Sequence, residues 1–599
     1  MRRFLPFLLA FTAMPSTAFA YKFSVEMVPM RDGVSLATDV YTPTRKGTYP
    51  TVLIRTPYGT DFIPGEAARL ICDRMDFNLI VQDTRGRYES EGVDDIFLSD
   101  GWYEHQDGYD TLEWISQQRY SNGDVGIFGA SALGITGFLA AGTYHPALKT
   151  MHIGISPWNF YNTVYQSGVF RDALIVDWLD GQDALYMVDL YKEHPIPDEI
   201  WSYMDMNTRS SGITIPIFHW GGWYDIFTEG PLDAFHQLYN QHLAGVTDEQ
   251  YLLMGPWTHV DDGAFSTTQG QLSYPKDSIV PMDFANPLEW FKVQLQGKSS
   301  TPAQPSDWPV RFYVMGDADK TDGVGNTWEI AQNWPIATHE KNLYLGAGGV
   351  MAFQNSASLD GSSSFRYDPS APSPTIGGAE LSLPAGPYDQ RPLLGAGDSV
   401  MFQSELLSTP VKNVGLAKAE LYVSTTAPDT DFTVRLVDIY PDGRTMLVND
   451  GVAKVRYRNG FTQPSFVTPS ETVKLEVKMG STAIAFEAGH RIGIIVASSN
   501  ARRFWPSQNT DDSVWGTAPA QVAINTIRHG TAYPSRLILA EPEPNTTRPA
   551  PKRARPSAVF TQQAMKKLRQ NLPLTAAEQL AAERAVGGAL MQAMIDTVP

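Results

Sequence analysis

Short apolar runs alternate with helix-patterned stretches from Thr51 to Val260. TVLIRTPYG, FNLIVQDTRG, VGIFGAS, LKTMHIGIS, ITIPIFHWGGWYD and EQYLLMGPWTHV are the runs. DGYDTLEWISQQ and ALGITGFLAAGTY lie between them, and PLEWFKVQLQG follows as a further amphipathic helix. Runs buried on both sides, separated by helices, predict a parallel sheet covered on both faces. Ahead of them, VEMVPMRDGVSLATDVYTP reads as two strands joined at Asp32-Gly33.

Two interruptions divide the chain. From Trp158 to Asn207 the alternation stops, and aromatics and helix formers dominate, which predicts a helical insertion. Beyond about Trp308, short runs recur between turn residues, among them VRFYVMG, AELYVSTT, FTVRLVDIY, TVKLEVKM and RIGIIVASS. That spacing predicts an all-β sandwich or jelly roll. EPEPNTTRPAPKRARP then reads as a Pro-rich charged linker. A last helix follows, with Thr575 and Glu578 spaced as a capping box and Gly587-Gly588 weakening its middle. From Glu541 onward the net charge is +3 on an otherwise acidic chain. This arm either docks back on the body or stays mobile, and its helix is a candidate surface for self-association.

The expected divisions are therefore 1–20, a leader; 21–157 and 208–300, the α/β part; 158–207, the insertion; 301–540, the all-β part; and 541–599, linker and helical tail. The leader has Arg2 and Arg3, the apolar run FLPFLLAFTAM, and small residues Ala18 and Ala20. This is the build of a secretory signal cleaved after Ala20, and its apolar run is too short to anchor the chain. The expected location is periplasmic or secreted. The formal net charge is −19, which disfavours nucleic acid and anionic lipid as partners. Cys72 is the one cysteine, so no internal disulfide forms, and its apolar helical setting predicts a packing role.

In GDVGIFGASALG, a run meets a Gly-x-Ser followed by small residues. Ser131 fits either a nucleophile on a strand-to-helix turn or a small residue in an ordinary turn. Leu133 stands where G-x-S-x-G has its second glycine, so the local motif is half met. Downstream, Asp225 follows one apolar strand and His259 follows the next. Catalytic groups on open α/β sheets sit beyond the carboxyl ends of strands, and the order Ser, acid, His suits nucleophilic catalysis. The histidines show no metal-ligand spacing, and neither metal nor cofactor is expected.

With these motifs the chain resembles the cocaine esterase and X-Pro dipeptidyl-peptidase (CocE/NonD-like) group of serine hydrolases. MRDGVSLATDVYTP, IRTPYGT, QDTRGRYESEG, DGYDTLEWI, NGDVGIFGAS, GGWYD, GPWTH, GPYDQRPL and DTDFTVRLVDIYPDG carry the likeness, which runs from about Phe23 to Ala540. The resemblance implies an α/β-hydrolase core with an inserted helical cap, followed by an all-β jelly-roll domain. It implies Ser131 as nucleophile, His259 as base and Asp225 as its orienter. It also implies an oxyanion hole made of the Ala132 N–H and the Tyr58 hydroxyl. The family usually has Tyr where Ala132 stands, which keeps the backbone donor and alters the pocket.

The ammonium-binding carboxylates of the α-amino acid ester hydrolases align with Asn162 or Thr163, Phe227 and Thr228, none of them acidic. An α-ammonium substrate is therefore disfavoured. Trp158, Phe160, Tyr161, Trp223 and Phe227 either line the site, suiting an apolar or aromatic acyl group, or glue cap to core. Trp505 is a further aromatic placed near the cleft by the family's arrangement. The function expected is hydrolysis of carboxylic esters. Amide cleavage or acyl transfer by the same serine, and glycan binding on a retired hydrolase fold, are the alternatives.

Overall fold

The computed structural model describes residues 21–245, 249–260, 263–298, 308–320, 322–551, 558–570 and 572–596. The leader lies outside the described residues, as does part of the Pro-rich linker.

The first sheet has 11 strands: β1 (Tyr21–Pro29), β2 (Ser35–Pro43), β3 (Tyr49–Thr56), β4 (Asn78–Asp83), β5 (Ser121–Ala130), β6 (Leu148–Gly154), β7 (Ile217–Tyr224), β8 (Gln250–Thr258), β9 (Val310–Val314), β10 (Thr327–Ala331) and β11 (Thr547–Pro549). Their spatial order is β1-β2-β4-β3-β5-β6-β7-β8-β9-β10-β11. From β4 to β9 every neighbouring pair is parallel. β7 is buried at every position, as a strand covered on both faces must be. The covering helices include α1 (Asp107–Ser116), α2 (Ala132–Ala141), α4 (Glu229–Leu243) and α5 (Pro287–Gln296); α3 (Asp172–Gly181) belongs to the insertion. All ten residues of α2 are buried. The parallel sheet covered on both faces is the one the alternation of the sequence predicted, and it has the α/β-hydrolase form that the resemblance implied.

Three strands at its edge, β9, β10 and β11, come from beyond the expected α/β ranges. VRFYVMG, expected in the all-β part, is β9, paired in parallel with β8. Thr547–Pro549, expected in a linker, is β11, paired antiparallel with β10. A short apolar run declares a strand but not its partner, so the boundary was not legible locally.

The insertion holds short helices and one small hairpin, Tyr165–Gln166 with Val169–Phe170. The C-terminal domain is all-β. Its longest pairing joins Val411–Thr425 to Val473–Phe486.

The tail is docked. Helices α6 (Ala558–Arg569) and α7 (Ala576–Asp596) bury Ala564, Leu568, Ala581, Ala582, Val586, Leu590 and Met591. The capping box forms: Glu578 Oε2 accepts from the Thr575 N–H at 2.9 Å, and Thr575 Oγ1 accepts from the Glu578 N–H at 3.3 Å. Lys292–Glu583, Arg584–Glu289 and Arg569–Glu66 ion pairs bind the tail to the body. Gly587 does not end the helix. A Cβ there would stand 2.5 Å from Asn286 Oδ1, so glycine lets α7 close on the start of α5. The apolar face offered for self-association is turned onto the chain's own body. Among the described residues no helix is long and apolar enough to cross a membrane.

Candidate active site

Ser131 follows β5 directly and precedes α2. Its φ is 55° and its ψ −127°, a conformation that non-glycine residues rarely hold outside functional turns. Close packing enforces it. A Cβ at Gly129 would stand 2.2 Å from the Leu133 carbonyl oxygen, and one at Gly134 would stand 2.7 Å from Ser156 Cβ. The glycines this turn requires are therefore at 129 and 134, so Leu133 at the third place is no defect.

Asp225 and His259 follow β7 and β8, and the parallel pairing of these strands brings the two together. Asp225 Oδ2 lies 2.8 Å from His259 Nδ1, and His259 Nε2 lies 2.8 Å from Ser131 Oγ. A carboxylate only accepts, so the imidazole Nδ1–H is the donor to Asp225. In the neutral ring Nε2 then accepts from the Ser131 hydroxyl. Asp225 Oδ1 takes the Phe227 N–H at 2.7 Å, which fixes the carboxylate plane. His259 is fully buried, and the Phe227 ring stands edge-on to it at 5.4 Å.

Ser131 opens on a narrow pocket bordered by Tyr58, Ala132, Phe160, Trp178, Phe227 and Leu381 among others. Apart from the hydroxyls of Ser131, Tyr58, Thr163 and Tyr191, these walls are overwhelmingly apolar. Ala132 is the first residue of α2, where a helix leaves its N–H groups without intrahelical acceptors. Tyr58 follows β3, and burial holds its hydroxyl above the ordinary tyrosine range. The Trp178 indole N–H donates to Tyr58 Oη at 3.0 Å.

Of the five aromatics picked from sequence, the structure brings two to this pocket, Phe160 and Phe227. Trp158 is packed edge-on against Phe138. Tyr161 donates to the Pro195 carbonyl at 3.1 Å and stacks on Tyr165 inside the cap. The Trp223 indole donates to the Tyr313 carbonyl at 2.7 Å. Trp158 and Trp223 border a larger cavity next to this pocket, while Tyr161 lies within the cap. Trp505 lies in a separate cleft beside Trp515.

Phe97, Trp178 and Leu381 were missed. Leu174, Ile175, Trp178 and Leu179 form one apolar stripe of α3, which was readable from helical spacing. Leu381 comes from the C-terminal part of the chain and had no local signal. Thr163 borders the pocket, Asn162 is exposed, and Thr228 Oγ1 donates to the Gly222 carbonyl at 2.8 Å.

The X-Pro dipeptidyl-peptidase (S15 family) profile matches residues 32–190 and 179–261, and the profile of the X-Pro dipeptidyl-peptidase C-terminal non-catalytic domain matches 306–538. The cocaine esterase of Rhodococcus sp. (strain MB1 Bresler) is 30% identical over 588 residues, covering 86% of this chain and 97% of the relative. Two solved structures share the fold. An aminopeptidase from a marine sediment Thaumarchaeota archaeon has a TM-score of 0.74 at 21% identity, covering 89% of this chain and 98% of its own. An α-amino acid ester hydrolase has a TM-score of 0.72 at 23% identity, covering 90% and 100%. A serine hydrolase is the class that fold and relatives define, which sets aside the reading as a glycan-binding protein on a retired fold. The chain belongs to the cocaine esterase and X-Pro dipeptidyl-peptidase family.

Proposed function

We propose that this protein is exported and hydrolyses carboxylic esters with an apolar or aromatic acyl group through an acyl-enzyme on Ser131. The observation that carries the reading is the hydrogen-bonded line Asp225–His259–Ser131 opening on an apolar pocket. Ser131 Oγ attacks the acyl carbonyl as His259 Nε2 takes its proton. The Ala132 N–H and the Tyr58 hydroxyl hold the oxyanion. His259 then protonates the departing alkoxide, and water repeats the cycle to free the acid and Ser131. An apolar pocket suits an uncharged acyl chain, since it offers a charged one no partner.

Trp178 supports Tyr58 in this scheme. An indole N–H can only donate, so Tyr58 Oη accepts from it and its own proton is left for the pocket. Trp178→Phe is expected to lower kcat about tenfold, in the range of one weakened oxyanion donor. Combined with Tyr58→Phe, the loss should be less than the product of the two, as for residues acting on one group. Fully multiplicative losses would mean that Trp178 only shapes the pocket.

The reading is tested by fluorophosphonate labelling of the full chain and by turnover of p-nitrophenyl esters of rising acyl length. Labelling, with benzoyl and butyryl esters preferred over a succinyl half-ester, is expected. Folded protein that takes up no label would refute it. For export, the sequence of the leader is the support. N-terminal sequencing of the exported protein should begin at Tyr21, and a start at Met1 would refute it.

A further inference from the structure

A second, wider cavity, open to solvent, adjoins the Ser131 pocket, and Thr163, Ile226 and Phe227 border both. The cap, the α/β core and the all-β domain all contribute to its wall. Most charges on that wall are matched. Asp225 is held by His259 and the Phe227 N–H. Asp450 accepts from Asn500 Nδ2 at 2.7 Å and pairs with Arg503, which also pairs with Glu380 at 2.8 Å. Glu229 accepts from the Ser481 N–H and hydroxyl. Lys478 reaches the wall from an exposed strand position.

Two groups differ. Asp233, on the exposed side of α4, is raised to about 7, by loss of water first and then by Glu229 and Asp205 near it, so a proton relieves its charge readily. Arg171 has no such escape, because a guanidinium stays protonated. It is 6% exposed. Its Nη1 donates to the Ile226 carbonyl at 3.1 Å, its Nε is buried without an acceptor, and among the described residues no carboxylate lies within ion-pair distance. Glu380, Asp450 and Asp225 attract it only from afar, while Arg503 repels it. A buried guanidinium left in this state is costly until an anion meets it.

Its placement says where that anion sits. Arg171 grips the carbonyl of Ile226, between Asp225 and Phe227, and the Phe227 ring stands against His259, the group that protonates the leaving group in the proposed reaction. We infer that Arg171 recognises a carboxylate on the leaving-group side, so that the substrates are esters or amides of an apolar acyl group with a hydroxy acid or an amino acid. The inference rests on the Ser131 reading and names the half of the substrate which that reading leaves open. It also fits the lack of an acid at 162, 163, 227 and 228, which had argued against an α-ammonium group.

The experiment compares 4-(butyryloxy)benzoate with its methyl ester, a neutral substrate of nearly the same shape, on the full chain. The wild type should favour the carboxylate by about tenfold or more in kcat/KM, as a charge-assisted pair provides. Arg171→Gln should bring the ratio to near one, and Arg171→Lys should restore part of it. A wild-type ratio of one or less, or a ratio that Arg171→Gln leaves unchanged, overturns the inference. Calorimetry with 4-hydroxybenzoate, against 4-hydroxybenzamide, tests Arg171 without turnover and without the variants. Binding of the acid at least about tenfold tighter supports the inference, and equal binding overturns it. If neither ester turns over while the acid still binds selectively, the Ser131 reading fails and the Arg171 site stands.

Discussion

Ser131→Ala is expected to lower ester turnover by on the order of 10⁴- to 10⁶-fold and to abolish fluorophosphonate labelling. The reason is the single line of contacts that ends at Ser131 Oγ. His259 Nε2 has the serine hydroxyl as its partner, and without that oxygen no acyl-enzyme can form. Asp225→Asn should cost about 10⁴-fold, because an amide no longer holds the imidazole in the tautomer that leaves Nε2 free to accept. The two changes together should cost little more than the first alone, since both act on one step. Each variant keeps the side-chain volume of its site, so thermal unfolding should move little. Activity of the folded Ser131→Ala protein within about tenfold of wild type would sink the assignment.

A chain ending at Pro551 is expected to melt about 10 °C or more below the full protein, or to aggregate on expression. Removing α6 and α7 strips Leu568, Val586, Leu590 and Met591 from the surface they cover, and each such side chain contributes about 1.5–3 kcal/mol when buried. Ordering the tail opposes part of that gain, so the net effect is smaller than the sum. The truncation also frees Lys292 and Glu289 from their tail partners. Gly587→Leu separates docking from mere presence of the tail, because its side chain must enter the space held by Asn286. It should reproduce much of the loss at full length. Equal melting of the truncated, substituted and full chains would show that the docked helices stabilise nothing.

How much of this could be read from the chain depends on whether the signal was local. Ser131, Asp225 and His259 each follow an apolar run, and a strand's end is a property of its own sequence. The two glycines that shape the nucleophile turn were visible, although the need for Gly134 rather than a glycine at 133 came from Ser156 packing against it. Tyr58 was named only through the family likeness. Nothing in RTPYG distinguishes an oxyanion donor from a tyrosine at a strand end, and the contact with Trp178 is 120 residues away.

The alternation of runs by itself determined a parallel sheet, a helical interruption and an all-β end, because burial on two faces leaves a periodic trace in the residues buried. Tertiary structure alone decided which strands sit side by side, so β9, β10 and β11 joined a sheet that their sequences could not name. It alone decided which aromatic rings meet the serine: Phe160 and Phe227 border its pocket, Trp158 and Trp223 border the cavity beside it, and Tyr161 packs inside the cap. It alone set Arg171 beside the carbonyl of Ile226 without a carboxylate. Periodicity records that a side chain is buried, but the identity of its neighbour is set by contacts between segments far apart in the chain, and those leave no mark on either segment read alone.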